Sequence, residues 1–157
     1  MSNTTQLAPS VGVGDLAPDF GLPDQNGATV QLRQLLERGP VVVYFYPKDE
    51  TPGCTAQACA FRDAYEDFKT AGAEVVGISS DSADSHASFA THRQLPFVLL
   101  SDRDGEVRKR YGVKPAFFGF VPGRVTFVID RNGTIRHVFR SSVNMSRHVT
   151  EALGALR

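Results

Sequence analysis

VVVYFYPKDETPGCTAQACAFRD, residues 41–63, changes character at its middle, and that change decides the fold. Val41 to Tyr46 is an unbroken β-branched and aromatic run, the pattern of a strand buried on both faces. From Thr51 the residues turn helical. Thr51 stands as N-cap, Pro52 suits the first helical position and Gly72 is the expected stop, so one helix is predicted between them.

The pattern repeats outward. EVVGISSD (74–81) reads as a second strand, SADSHASFATHRQL (82–95) as a helix, FVLLSD (97–102) as a strand and GEVRKRYG (105–112) as a short basic helix. RVTFVID and TIRHVFR are two β-rich runs joined through Asn132-Gly133, a strong hairpin signal, and an amphipathic helix is predicted from near Ser146. Upstream, residues 15–36 carry turn signals around short apolar patches and read as an N-terminal extension with a hairpin. Parallel βαβ units followed by an antiparallel hairpin and a helix predict an α/β fold, a mixed central sheet with helices on both faces. Residues 1–12 are expected to form a flexible tail and 13–157 one domain, as a chain of 157 residues usually does.

Composition narrows the function. Lysine plus arginine and aspartate plus glutamate each number 17, so no net charge favours a nucleic acid or an anionic membrane. The first residues lack the pattern of a signal peptide and no apolar run is long enough to span a bilayer, so a soluble, cytoplasmic protein is expected. Thiols stay reduced in that compartment. The only two cysteines, Cys54 and Cys59, are therefore expected to be catalytic, redox-sensing or metal-binding rather than a structural staple.

Cys54 falls in the first turn of the predicted helix, where free backbone N–H groups and the positive end of the helix dipole favour a thiolate. The dipole contributes only about 0.3–1 kcal/mol, so a nearby cation is also required. A Pro-Gly-Cys turn is expected to expose the side chain. Cys59 lies five residues on, a rise of about 7.5 Å and a Cα separation of roughly 8.5 Å in a regular helix. A disulfide needs Cα atoms about 4.4–6.8 Å apart. The two thiols can bond only if the intervening turns unwind, which describes a switch. Thr55-Ala56-Gln57-Ala58 holds no large apolar anchor, so the opening is expected to cost little. The bland alternative for Cys59 is an inert buried thiol. A zinc site is not expected: histidines 86, 92, 137 and 148 lack ligand spacing. His86 and His92 read as solvated helix residues and His137 as a strand residue.

Pro47, Thr51 and Cys54 fit a P-x-x-x-T-x-x-C signature, and the chain resembles the peroxiredoxins, thiol peroxidases on a thioredoxin-like fold. PGCTAQACAFRD, with its second cysteine, resembles the bacterioferritin-comigratory or Q-type branch. The likeness continues through DLAPDFGLPDQNG, VVGISSDS, FVLLSD and FGFVPGRVTFVIDRNG, nearly the whole chain beyond the tail. The resemblance implies that Cys54 is the peroxidatic nucleophile, Thr51 offers its hydroxyl to the peroxide, Arg124 supplies the cation and Pro47 shields the thiolate. It implies that Cys59 is the resolving cysteine, forming an intramolecular disulfide that a thioredoxin-type dithiol reduces. Backbone N–H groups near Gly53 and Cys54 complete the expected cradle for the peroxide. No cofactor or metal is implied, and intramolecular resolution makes a monomer the expectation.

Glu50 tunes the local charge or is a solvated loop carboxylate. Phe117, Phe118 and Phe120 form an apolar collar for bulky hydroperoxides or simply pack their loop. The rival functions are a disulfide reductase, for which the cysteine spacing is wrong, and a non-enzymatic redox sensor or binding module, which oxidises once instead of turning over.

Overall fold

The computed structural model describes residues 11–113 and 124–157. Strands β1 (Gly21–Pro23) and β2 (Thr29–Gln31) form the predicted N-terminal hairpin, paired Leu22 to Val30. A five-residue helix not anticipated from the sequence, α1 (Leu32–Leu36), follows directly and buries Leu32. Strand β3 (Val41–Phe45) then enters the centre of the molecule, with all five residues buried.

The predicted single helix after β3 is two helices. Helix α2 (Pro52–Asp63) ends at Ala64, whose ψ of 5° breaks the regular turn, and α3 (Tyr65–Thr70) follows at once. Phe61 and Phe68, two turns apart, both pack in the core on this face of the sheet, ring centroids 5.7 Å apart. Strand β4 (Glu74–Ser79), helix α4 (Ala83–Arg93), strand β5 (Val98–Ser101) and helix α5 (Glu106–Arg110) follow as predicted. So do β6 (Val125–Ile129), β7 (Ile135–Arg140) and α6 (Met145–Ala155). Gly133, at φ 90°, closes the β6–β7 turn, and Asn144 caps α6 by accepting from the Arg147 N–H.

The five long strands lie in the order β5-β4-β3-β6-β7, parallel across β3–β4–β5 and antiparallel across β3–β6–β7. This is the mixed sheet expected. Because side chains alternate along a strand, the β3 run splits between two cores. Val41, Val43 and Phe45 pack with Ile78, Leu100, Tyr111 and Phe127, under α1 and α5. Val42, Tyr44 and Tyr46 pack on the opposite face with Phe61, Phe68, Phe89, Leu99 and Val149, under α2, α3, α4 and α6. Tyr44 sits opposite Gly77 in the ladder, and its ring occupies the space a side chain there would need: a Cβ on Gly77 would lie 2.9 Å from Tyr44 Cζ. The loop from β3 to α2 emerges at the carboxyl end of β3, the end at which open α/β sheets bind ligands.

Candidate active site

Thr51 takes the N-cap position of α2 with extended backbone, Pro52 and Gly53 follow, and Cys54 completes the first turn. The N–H groups of Gly53 and Cys54 therefore lie among those with no intrahelical acceptor. The Thr51 side chain does not cap the helix as predicted. Its hydroxyl donates instead to the Lys48 carbonyl at 2.8 Å, which tightens the loop and leaves the oxygen lone pairs available as acceptors.

Cys54 is buried, 1% exposed, where the sequence suggested an exposed thiol. The reason is the packing of α2 on the sheet: the first turn lies over Tyr44 and Tyr46, so its third residue faces inward. Arg124, immediately before β6 and also buried, reaches the thiol across seventy residues of sequence, with Nη1 3.3 Å from Cys54 Sγ. The same Nη1 donates to Gln57 Oε1 at 2.9 Å. Gln57 stands one helical turn after Cys54 and orients the cation, a part its spacing from Cys54 signals and the sequence reading missed. Gly53 gives the guanidinium room: a Cβ there would lie 3.0 Å from Arg124 Nη2. Gln57 Nε2 and Arg124 Nε are buried donors with no hydrogen-bond partner among the described residues. Below the thiol, burial first and the neighbouring Cys54 second hold the Tyr44 phenol far above its usual ionisation range, so it stays neutral.

Cys59 is half-buried on the same helix as Cys54, and both thiols are free. Opening the intervening turns costs more than their composition suggested. Gln57 and Ala58 are fully buried, Gln57 is bonded to Arg124, and the next turn is pinned by Phe61 stacked on Tyr44 at 4.5 Å. Pro47 is half-buried at the start of the loop. Phe117, Phe118 and Phe120 lie outside the described residues.

Glu50 is an exposed loop carboxylate as expected, and it is bonded to His92 Nδ1 at 3.0 Å and Arg93 Nη2 at 3.3 Å, with a φ of 63°. One further expectation is corrected. His86 is not a surface residue. It is fully buried, because it shares with Phe89 the face of α4 that packs on the sheet, and its ring finds the Leu100 carbonyl and the Asp49 carboxylate there. Asp49, Asp81 and His86 bring donor atoms within 4.8 Å of one another, the spacing of a cation site. Hydrogen bonds already occupy them: the Asp49 N–H and the Ser79 hydroxyl both donate to Asp81 Oδ2. No helix among the described residues is long and apolar enough to cross a membrane.

Comparison with known proteins places this geometry in context. The profile of the AhpC/TSA family matches residues 13–138. A chloroplastic peroxiredoxin Q of Sedum lineare is 54% identical over 144 residues, covering 92% of this chain and 77% of the relative. The crystal structure of peroxidoxin BcpB from Mycobacterium tuberculosis superposes with a TM-score of 0.86 at 43% identity, covering 92% of this chain and 96% of that one. The bacterioferritin comigratory protein of Xanthomonas campestris, studied for its alkyl peroxide reduction activity, gives a TM-score of 0.80 at 30% identity, covering 93% and 97%.

Proposed function

The chain belongs to the AhpC/TSA family, on the peroxiredoxin Q branch of thiol peroxidases, and from that premise we propose that Cys54 is its peroxidatic nucleophile and Cys59 its resolving thiol. The observation that carries this reading is the buried Arg124 guanidinium at 3.3 Å from Cys54 Sγ, in the first turn of a helix. A cation at hydrogen-bond distance adds to the helix dipole in favouring the thiolate over the thiol.

Ionisation alone does not make a fast peroxidase, because a more stable thiolate is also a weaker nucleophile. The site must stabilise the breaking O–O bond. The thiolate attacks one peroxide oxygen, an S–O bond forms as the O–O bond breaks, and the other oxygen leaves as water or an alcohol once it gains a proton. Arg124 and the free N–H groups of Gly53 and Cys54 face the charge that moves onto the departing oxygen, a preorganised electrostatic cradle. With its hydrogen held by Lys48, Thr51 Oγ1 accepts the hydrogen bond of the peroxide and fixes which oxygen is attacked. Pro47 limits water at the loop side.

The sulfenic acid then meets the Cys59 thiol after the turns between them unwind, forming a disulfide and releasing water. A thioredoxin-type dithiol restores both thiols by exchange. Resolution within one chain requires no second subunit, so the protein works as a monomer.

The test is turnover. With NADPH, thioredoxin reductase and thioredoxin present, each added equivalent of hydroperoxide consumes one of NADPH, and consumption continues while peroxide lasts. A single stoichiometric oxidation followed by arrest contradicts the reading and identifies a sensor.

A further inference from the structure

The loop that carries Pro47 and Thr51 is fastened from behind by a polar cluster buried between β3, β4 and α4. Asp49 is its centre. The Tyr46 hydroxyl donates to Asp49 Oδ1 at 2.6 Å, the Ser85 hydroxyl donates to Oδ2 at 2.8 Å, and His86 Nδ1 lies 2.7 Å from the same Oδ2. Asp49 is 6% exposed and His86 not at all. His86 Nε2 lies 2.9 Å from the Leu100 carbonyl, which only accepts, so Nε2 carries a hydrogen. The short Nδ1–Oδ2 contact therefore needs a proton of its own. Whether that proton sits on the ring or on the carboxyl, the pair has no net charge, and the hydrogen bonds from Tyr46 and Ser85 offset part of the cost of burying it.

The backbone is held at the same point. The Asp49 N–H donates to Asp81 Oδ2 at 2.8 Å, just beyond β4, and the hydroxyl of Ser101, the last residue of β5, donates to the Asp81 carbonyl at 2.6 Å. Glu50 follows in the left-handed region at φ 63°, a conformation that costs a non-glycine residue roughly 1–2 kcal/mol. It persists between two anchors on α4, with Ser85 and His86 bonded to Asp49, and His92 and Arg93 bonded to Glu50. The next residue is Thr51. None of these anchors is hydrogen-bonded to Cys59.

We propose that Asp49 and His86 are positioning residues of peroxide reduction: a one-proton latch between the active-site loop and α4 that sets Thr51 and Pro47 against the peroxide at Cys54. The proposal rests on Cys54 being the peroxidatic thiol. The latch acts on the peroxide rather than on the thiolate, whose cation comes from Arg124 on a different element. It thus governs attack on the O–O bond and leaves the reactivity of Cys54 towards a simple alkylating agent nearly unchanged.

The test uses the Cys59→Ser protein, in which attack is isolated from resolution, with Asp49→Ala, Asp49→Asn, His86→Ala and Ser85→Ala added singly. Two rates are measured for each: stopped-flow reaction with hydrogen peroxide, read as Cys54 sulfenic acid, and alkylation by iodoacetamide. A misplacement near 1 Å at a reacting site costs about a hundredfold, so Asp49→Ala and His86→Ala are expected to lose about 10- to 100-fold in peroxide rate, with alkylation within about threefold. Asp49→Asn keeps the shape and offers an amide N–H to Nδ1, and is expected to stay within about threefold of its parent in both rates. If the alanine variants at 49 and 86 do not fold, Ser85→Ala, which removes one donor from Oδ2, still lowers the peroxide rate alone by about threefold. Ile135→Val, in the core of the other sheet face, lowers the melting temperature and leaves both rates unaltered.

Equal losses in both rates, no loss in either, or an Asp49→Asn protein as slow as Asp49→Ala overturn the latch while leaving Cys54 as the nucleophile. A Cys59→Ser parent that forms no sulfenic acid overturns the peroxidase reading, and the latch with it.

Discussion

Gly53→Ala separates stability from activity, because the two move in opposite directions. Gly53 is in the first turn of α2, where alanine is the better helix former by roughly 0.5–1 kcal/mol, and its backbone is helical. The added Cβ, however, would sit 3.0 Å from Arg124 Nη2 and 3.6 Å from its Cζ. Ordinary contact requires the guanidinium to retreat by about 0.5 Å, since carbon and nitrogen prefer separations of about 3.5 Å or more. Retreat from the present 3.3 Å to about 3.8 Å weakens the attraction between Arg124 and a Cys54 thiolate by about 0.7 kcal/mol at an effective dielectric constant near 20, or about threefold in rate. The loss is larger if the methyl also intrudes on the peroxide. The assay pairs stopped-flow oxidation of Cys54 with urea denaturation: the peroxide rate is expected to fall at least about threefold while the denaturation midpoint holds or rises. An unchanged rate would mean that Arg124 does not act through its distance from the thiol, and the account of the cradle would be refuted.

Gly77→Ala places a methyl 2.9 Å from both Leu99 Cδ2 and Tyr44 Cζ, so overpacking is expected to cost about 1–3 kcal/mol in urea denaturation, and an unmoved midpoint contradicts the tight Tyr44–Gly77 contact. His148 donates from Nε2 to the Ser141 carbonyl at 2.9 Å and accepts at Nδ1 from Thr126 at 2.7 Å. Burial, aided by the Arg124 charge and partly offset by Ser141, lowers its pKa from 6.5. The unfolded chain therefore takes up a proton at higher pH than the folded one, so the contribution of His148 is intact above pH 6.5 and is lost as pH falls from there to the folded value. Replacing it by glutamine flattens the stability profile over that interval, and an identical profile in the variant sinks the assignment. If the proposed disulfide forms, residues 55–61 are expected to unwind while β3 and β4 keep their shape, so hydrogen exchange in this segment should quicken in the oxidised protein; equal protection in both forms counts against unwinding.

The sheet was legible because its signals are local. The apolar run of Val41–Tyr46 and the Asn132-Gly133 turn each act within a few residues of where they stand. The break at Ala64 was not, because nothing in Asp63-Ala64-Tyr65 disfavours a helix. The candidate site divides in the same way. Thr51, Gly53 and Cys54 are contiguous and readable as a strand-to-helix turn, whereas Arg124 came only through the family likeness, because no local signal marks which of many arginines returns to the thiol. Gln57 was overlooked although its spacing puts it one turn from Cys54, because the charge it meets is on Arg124, 67 residues away. His86 was misread for a like reason: its partner Asp49 is 37 residues away, and a histidine flanked by serines and alanines looks solvated until the two are brought together.

The most direct test is mass spectrometry of the intact protein and its peptides after one equivalent of hydrogen peroxide, on the wild type and on Cys59→Ser. The account predicts that the wild type loses two hydrogens and gains a Cys54–Cys59 crosslink, while the variant carries a trappable sulfenic acid on Cys54 alone. Two thiols that remain reduced, or a sulfenic acid on Cys59 with Cys54 untouched, would contradict it.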